Sequence, residues 1–223
     1  ILSEAGIEPD ALSLIIHGTT LATNAIIERK GARTALLVTE GFRDSVEMAY
    51  ENRFEQYDLE IERPKPLVPR YLRWPVSERM GPAGQIWTAL DEAGVRGLLP
   101  KLKEEKIESV AIGFLHAYAN PANECRAAEI ISATRPDLSI SLSSEVCPEV
   151  REYERLSTTC ANAYVQPLMS RYLLELEAEL KNTGIACPLL LMMSSGGLTT
   201  LATGIKFPIR LIDSGPAGGA ILA

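Results

Sequence analysis

Cysteine, histidine and long apolar runs are all scarce in this sequence. Its 223 residues include four Cys and two His. The cysteines form no C-x-x-C pair and neither histidine stands at zinc-ligand spacing from them, so no disulfide framework or metal site is indicated. We therefore expect reduced thiols, a cytoplasmic location and no metal ligands in this chain. No apolar run approaches the roughly 20 residues that span a bilayer, which predicts no membrane segment.

Basic residues are also too few for a polyanionic partner. The 22 Lys and Arg are outnumbered by 29 Asp and Glu, and the formal net charge is −7. Because a nucleic-acid backbone or an anionic membrane surface is bound through a basic face, we expect neither partner. The sequence starts with Ile rather than Met and stops in a glycine-rich, apolar stretch. We interpret the whole chain as an internal fragment of a larger protein.

What the sequence does contain is a regular alternation of strand and helix patterns. Apolar residues make up 46% of the chain. The predicted strands lie at 14–17, 34–39, 110–115, 138–142 and 188–193, and the predicted helices at 21–29, 91–106, from 121 onwards and 156–181. This order predicts an α/β fold with a mainly parallel sheet and helices on both faces. The strands at 14–17 and 34–39 are predicted to form a parallel pair.

The region 51–90 departs from this alternation. Residues 51–69 are charged, aromatic and broken by prolines, and residues 71–78 and 85–88 flank a Gly-Pro-Ala-Gly turn. The second pattern predicts an antiparallel hairpin inserted into the fold. We therefore divide the chain into a first α/β unit at 1–50, an irregular excursion and hairpin at 51–90, and a second α/β portion at 91–223.

Three loops of small residues could bind an anion. They are His17-Gly18-Thr19-Thr20, Ser194-Ser195-Gly196-Gly197 and Ser214-Gly215-Pro216-Ala217-Gly218-Gly219. Each follows a strand-like run and precedes a predicted helix, where backbone N–H groups and hydroxyls can donate to phosphate. None matches the P-loop or dinucleotide-binding pattern, and each can also be an ordinary turn. The cofactor-binding candidates are Thr19, Thr20, Ser195, Gly196, Gly197 and Gly215.

Both histidines end predicted strands. His17 precedes the first loop, and His116 follows the strand at 110–115. Ligands of parallel α/β sheets bind beyond the carboxyl ends of the strands, and a neutral imidazole there can accept or donate a proton. His17 and His116 are therefore the candidate catalytic residues, with a purely structural histidine as the alternative for each. The charged stretch at 145–155 could orient a substrate, or it could be the solvated start of a helix.

Six segments, taken in order, match the pattern of a known family. They are the run His-Gly-Thr-Thr-Leu-Ala-Thr-Asn-Ala-Ile-Ile-Glu-Arg-Lys-Gly-Ala at 17–32, Gly-Phe-Arg-Asp at 41–44, Leu-His-Ala-Tyr-Ala-Asn-Pro at 115–121, Ser-Ser-Glu-Val at 143–146 with Arg-Glu-Tyr-Glu-Arg at 151–155, and Ser-Gly-Pro-Ala-Gly at 214–218. As a set they resemble the hydantoinase A/5-oxoprolinase family, whose relatives include N-methylhydantoinase and subunits of acetone and acetophenone carboxylases. The resemblance covers essentially the whole chain.

The resemblance implies a fold and a chemistry that composition does not reveal. The family is similar to the actin-like ATPases, and it uses ATP with Mg²⁺ to activate a cyclic amide or a ketone by phosphorylating its oxygen. Its two aspartate-bearing phosphate loops are not in this segment, so we expect the segment alone to bind ATP only weakly, if at all, and to be inactive. By the same comparison, residues 214–223 begin a connecting helix, which makes Ser214 and Gly215 hinge and packing residues near the nucleotide.

Three functions remain open at this point. The first is a fragment of an ATP-dependent hydrolase that opens cyclic amides of the hydantoin, N-methylhydantoin or 5-oxoproline type, together with a second subunit of the hydantoinase B type. The second is the equivalent ATP-binding subunit of an acetone or acetophenone carboxylase. The third is a non-catalytic interaction domain.

Overall fold

The structure, a computed structural model, describes residues 6, 8–50, 57–62, 64–215 and 219. Within them the helices are α1 (Leu21–Ile27), α2 (Ser45–Met48), α3 (Glu92–Glu104), α4 (Ala122–Thr134), α5 (Ser143–Val146), α6 (Glu152–Asn182) and α7 (Leu201–Lys206). The strands are β1 (Ile15–His17), β2 (Thr34–Thr39), β3 (Arg73–Val76), β4 (Arg79–Met80), β5 (Ile86–Thr88), β6 (Ser109–Gly113), β7 (Ser139–Leu142), β8 (Leu189–Met192) and β9 (Leu198–Thr200).

The described residues form two compact units. We call the part within 32–164 the central unit, and the parts within 1–31 and 165–223 together the terminal unit. The division at residues 50 and 90 follows sequence patterns rather than contacts, and it stays a prediction.

The central unit is built on a four-stranded parallel sheet in the order β3-β2-β6-β7. Its two middle strands have the sequences Thr-Ala-Leu-Leu-Val-Thr and Ser-Val-Ala-Ile-Gly, and every residue in both is buried. Because successive side chains of a strand point to opposite faces, this burial shows that both faces of the sheet are covered. The predicted mainly parallel α/β fold is confirmed in this unit.

Helices pack closely on this sheet. A Cβ placed on Gly113 at the end of β6 would overlap Cδ2 of Leu156 on α6, so the absence of a side chain allows this approach. α3 begins where the Asp91 carboxylate accepts a hydrogen bond from the backbone N–H of Gly94 at 2.9 Å. This bond satisfies one of the N–H groups that a helix start leaves unpaired. Helices α3 and α4 then pack against each other.

The predicted antiparallel hairpin is present, but its first arm is shorter than expected. Strand β4 pairs with β5 across the turn that ends at Gly84, whose φ is +80°. Residues 73–76, predicted as part of that arm, instead form β3, which pairs in parallel with β2. The buried side chains of Trp74 and Val76 explain this choice of partner, because the sheet covers more apolar surface than the hairpin does. Pro75 lies exposed between them.

The terminal unit contains a three-stranded sheet in the order β1-β8-β9. β1 is parallel to β8, and β8 is antiparallel to β9. The prediction that β1 and β2 form a parallel pair is therefore wrong, because β2 pairs with β3 and β6 in the other unit. Strands pair according to which apolar surfaces are buried together. Strands that are consecutive in sequence are often neighbours in a sheet, but this is only a tendency.

The long helix predicted at 156–181 is confirmed as α6, a single helix of 31 residues with Pro167 inside it. From Leu156 onwards the sequence of this helix has an apolar or aromatic residue at every fourth position, which predicts one buried stripe. The prediction holds in the central unit, where Leu156, Cys160 and Tyr164 are buried. In the terminal unit the buried residues are instead Val165, Met169 and Leu173. An α-helix has 3.6 residues per turn, so residues spaced four apart gradually rotate around the helix axis. The buried face therefore passes from the row that contains Leu156 to the row that contains Val165. No helix in the described part of the chain is long and apolar enough to cross a bilayer.

Candidate functional site

The imidazole of His17 is held by a tyrosine of the long helix. His17 ends β1, and its Nε2 lies 2.8 Å from the hydroxyl of Tyr172 on α6. The two ring centroids are 5.8 Å apart. Partial burial lowers the pKa of His17 from its usual value of 6.5, because the charged form loses hydration. A neutral imidazole with a fixed orientation is therefore the form present at neutral pH.

This lowered pKa predicts a pH dependence of stability. The folded state binds a proton at His17 less readily than the unfolded state, so the contribution of His17 is complete above about pH 6.5 and is lost as the pH falls below that value. We expect the free energy of unfolding to fall more between pH 7.5 and pH 5.5 in the wild type than in His17→Gln. Urea unfolding at both pH values measures this, and equal losses in the two proteins would contradict it.

Two of the three small-residue loops meet in the terminal unit. The hydroxyl of Ser214 donates to the backbone oxygen of Thr19 at 3.1 Å and accepts from the Thr19 N–H at 3.4 Å. A Cβ on Gly215 would lie 3.6 Å from the methyl carbon of Thr20. The exposed Thr20 hydroxyl accepts from the Asn24 side chain at 3.4 Å and keeps its own proton to donate. The α1 helix that follows has only seven residues, so the hydroxyls, rather than a helix dipole, are the donors that this loop offers.

The third loop, Ser194 to Gly197, does not precede a helix as predicted. It is the turn between the antiparallel strands β8 and β9, where the N–H of Met193 donates to the oxygen of Gly197 at 2.8 Å. Gly196 adopts a φ of +82°, which this tight turn requires and glycine adopts readily. The expectation of a helix N-terminus at this loop is therefore wrong. A role for Ser195, Gly196 and Gly197 rests on the Ser195 hydroxyl and on backbone N–H groups, of which that of Gly196 donates to the backbone oxygen of Met193 at 3.0 Å.

His116 belongs to the central unit. It follows β6 in a left-handed conformation with a φ of +54°, and its Nδ1 lies 3.1 Å from the hydroxyl of Tyr118. His17 and His116 thus follow strands of two different sheets, although each imidazole contacts a tyrosine hydroxyl. A catalytic role for either histidine stays a prediction.

A buried carboxylate that sequence reasoning missed joins the ends of β6 and β7. Glu124, on α4, is fully buried and accepts hydrogen bonds from the N–H of Phe114 at 2.9 Å and the Ser143 hydroxyl at 2.6 Å. It also accepts from the Ser144 N–H at 3.0 Å and the Ser144 hydroxyl at 2.7 Å. Burial raises the pKa of Glu124, and these hydrogen bonds act in the opposite direction.

A buried guanidinium lies at the same sheet edge. Arg155 donates to the backbone oxygens of Glu149 at 2.6 Å and Val150 at 3.2 Å, and its Cζ lies 5.5 Å from the ring centroid of Tyr118. The interpretation of 145–155 as a solvated helix start is therefore wrong for Arg155, which is fully buried. Arg155 also donates to the backbone oxygen of Phe114 at 3.4 Å, and Glu124 accepts from the N–H of the same residue, so both hold the backbone two residues before His116.

The side chains of the described residues do not form a metal-binding site. Among the described residues, no group of three or more His, Cys, Asp or Glu is arranged to hold a metal ion. The four cysteines are free, and burial raises the pKa of Cys160 to about 12, so that thiol is protonated at neutral pH. Proton transfer by imidazole and hydrogen-bond donation by hydroxyl and backbone groups are the chemistries that these sites can supply.

Family models match both parts of the chain. The model for the hydantoinase/oxoprolinase N-terminal region matches residues 1–134, and the model for hydantoinase/oxoprolinase matches residues 155–223. An uncharacterised protein of Methanocaldococcus jannaschii is 40% identical over 99% of the chain and 33% of its own length. The caprolactamase subunit alpha of Pseudomonas jessenii is 36% identical over 92% of the chain and 30% of its own length.

Two solved structures share the fold. The crystal structure of the ATP-dependent caprolactamase from Pseudomonas jessenii superposes with a TM-score of 0.87 at 36% identity, covering 94% of this chain and 30% of that one. A nucleotide-free acetone carboxylase superposes with a TM-score of 0.86 at 27% identity, covering 99% of this chain and 33% of that one. The chain thus spans about a third of the length of these relatives. Because the two family models together match most of its residues, the chain belongs to the hydantoinase/oxoprolinase family.

Proposed function

We propose that this chain is a segment of an ATP-dependent enzyme that opens a cyclic amide, of the hydantoin, N-methylhydantoin or 5-oxoproline type. The observation that carries the proposal is the likeness to the ATP-dependent caprolactamase over 94% of the chain, at 36% identity and a TM-score of 0.87. A fold resembling part of an actin-like ATPase, a cytoplasmic location and a second subunit of the hydantoinase B type belong to the same proposal.

The histidines have the clearest chemical role in this proposal. When bound, ATP supplies the phosphoryl group that activates the amide oxygen. His17 is neutral and oriented by Tyr172, so it can hydrogen-bond the amide or move a proton at its nitrogen or oxygen. His116, oriented by Tyr118, is the second candidate for the same work.

The small-residue loops supply donors for a nucleotide. The hydroxyls of Thr19, Thr20 and Ser195 can donate to phosphate oxygens, as can the backbone N–H groups of Ser195 and Gly197. The N–H of Gly196 already donates to the backbone oxygen of Met193 at 3.0 Å, so it would have to leave that bond. Gly215 allows close approach because it has no side chain, and only Thr20 lies near the position of its missing Cβ. For Mg²⁺ the fit fails, because the described residues hold no acidic cluster. We therefore assign no Mg²⁺ ligand to this chain, and we expect it to bind ATP weakly by itself.

The proposal is tested by measuring ADP formation and ring opening in the same reaction. The complete enzyme that contains this segment is purified and incubated with ATP, Mg²⁺ and 5-oxoproline, hydantoin or N-methylhydantoin, with and without a hydantoinase B-type subunit. We expect ADP and ring-opened product to form together, and only when the ring compound is present. Ring opening without ATP, or no ring opening with any of the three compounds and both subunits, would overturn the proposal.

A carboxylase subunit is the second candidate, because the acetone carboxylase shares the fold over 99% of the chain. In that case ATP consumption depends on bicarbonate and on a ketone such as acetone or acetophenone, and no ring compound is hydrolysed. The same assay with these additions separates the two enzymes. ATP consumption under neither condition favours the third function, a non-catalytic interaction domain.

A further inference from the structure

An apolar cavity of about 280 Å³ lies in the central unit, and its described lining contains neither histidine and no residue of the three loops. Its walls come from α2, from the segment before β3 and from the first turns of α6. Apolar carbon and aromatic rings dominate the walls, which include Val46, Tyr50, Leu67, Val68, Tyr153 and Ser157. A second, more open cavity of about 550 Å³ shares Ala49, Tyr50 and Tyr153 with it.

The open cavity lies beyond the carboxyl end of β2, one of the two strands between which the strand order of the sheet reverses. From β2 the chain passes to β3 on one side, and it later enters β6 on the other side of β2. The order of strands therefore reverses between β2 and β6. Gly41 and Phe42, directly after β2, line the open cavity, and the residues of α2 line the deeper one. Crevices beyond the carboxyl ends of strands at such a reversal are the usual ligand sites of open parallel sheets.

The charges around the cavities are already compensated by ion pairs. Each carboxylate lies close to its own guanidinium, with N···O distances of 2.8 Å for Asp44–Arg70, 2.6 Å for Glu47–Arg73, 3.9 Å for Glu152–Arg155 and 3.3 Å for Glu154–Arg151. Lys65, also in the wall, has an interaction partner as well. An ionic ligand would give up its hydration and would have to compete with these existing interactions for an opposite charge, which disfavours it.

The wall shared by the two cavities is aromatic and strained. Tyr50 and Tyr153 meet edge to face with ring centroids 4.9 Å apart. Ala49, beside them, has a φ of +49°, a conformation that residues with a side chain rarely adopt. Backbone strain of this kind persists where surrounding structure enforces it, and it clusters at ligand sites.

From these observations we infer that the deeper cavity binds an uncharged compound with one or two rings, which enters through the open cavity past Tyr50 and Tyr153. An apolar cavity of roughly 150 Å³ holds a benzene molecule, so the deeper cavity has room for a fused bicyclic ring. The existing pairing of the carboxylates and guanidiniums disfavours carboxylates and amines as ligands. This site does not depend on the proposed function, and it would be present in a hydrolase, a carboxylase or an interaction domain.

Titration of the purified protein with indole, followed by calorimetry, tests the inference. We expect saturable binding with a dissociation constant below about 1 mM. Indole-3-carboxylate, which adds a charge to the same ring, should bind about tenfold more weakly or worse. Absence of saturable indole binding, or equal or tighter binding of the carboxylate, overturns the inference.

Variants locate the binding in the cavity. Ser157→Phe places a ring in the deeper cavity and should weaken indole binding by at least about tenfold, whereas Ala178→Phe adds a ring at an exposed position of the same helix and should leave it unchanged. Circular dichroism checks that each variant is folded. If Ser157→Phe fails to fold, Tyr153→Ala is the alternative variant. It removes one aromatic wall near the start of α6 and should weaken indole binding by about threefold or more. Wild-type affinity in a folded Ser157→Phe, or in Tyr153→Ala, overturns the assignment to this cavity.

Discussion

Replacing Glu124 with alanine is expected to cost at least about 4 kcal/mol of unfolding free energy. The change removes the acceptor of four hydrogen bonds, two of them buried and two partly buried, and leaves a cavity where the side chain was. The hydroxyls of Ser143 and Ser144 can rotate, but the N–H groups of Phe114 and Ser144 cannot turn to another partner. Each stranded buried donor costs about 1–3 kcal/mol, and the loss of side-chain volume adds to this. Urea or thermal unfolding measures the change.

Two further variants test whether the loss of stability is specific to Glu124 or follows from any substitution in α4. Glu124→Gln keeps the size and one carbonyl acceptor, so it should cost less than alanine does. Glu129→Ala removes an exposed carboxylate of the same helix that is paired with Arg126 at 2.9 Å, and it should change stability by less than about 0.5 kcal/mol. If Glu124→Ala lies within about 1 kcal/mol of the wild type, the network does not hold the ends of β6 and β7 together.

Substitution of either histidine by alanine is expected to lower ATP-dependent turnover by at least about tenfold, because a positioned proton carrier is commonly worth about 10²–10⁴-fold in rate. The proposal gives this role to His17 and His116 in the complete enzyme. The turnover number for ring opening, measured at saturating ATP and amide, reports the effect. Unfolding measured in parallel shows whether the fold survives.

The tyrosine partner of His17 supplies a sharper control for that role. Tyr172→Phe keeps the ring but removes the hydroxyl that lies 2.8 Å from Nε2. If His17 transfers a proton, this variant should shift the pH profile of turnover, because the imidazole loses its hydrogen-bond partner. If both alanine variants turn over at the wild-type rate, each histidine serves only to hold its own loop.

Local sequence patterns predicted most of the helices and strands but few of the strand pairings. The apolar runs at 34–39 and 188–193 correspond closely to β2 and β8, since a buried strand flanked by glycine or polar residues has few alternatives. The pairing of β1 with β8 joins residues more than 170 positions apart. No periodicity within a short window carries that information, and the sequence therefore suggested the wrong neighbour for β1.

The same distinction applies to the candidate site. His17, His116 and the glycine loops could be selected because their residue types are chemically distinctive. Glu124 could not, because an acidic residue in the first turn of a helix is ordinarily explained by the helix dipole and by solvent. Its role depends on two strand ends that approach it from elsewhere in the chain. The consecutive serines after the strand at 138–142 are the one weak signal that sequence reasoning could have used.

The edge of the central sheet formed by β3 affects how readily molecules of the protein aggregate. Among the described residues β3 is an outermost strand of that sheet, and its exposed Pro75 has no backbone N–H to offer a neighbour. An open edge is otherwise a template on which another molecule can add a strand, and proline is one of the devices that block such growth. Crowded or partly unfolded molecules would therefore find this side of the sheet a poor seed for fibrous aggregates. Replacing Pro75 with a β-branched residue that restores the donor would remove that protection.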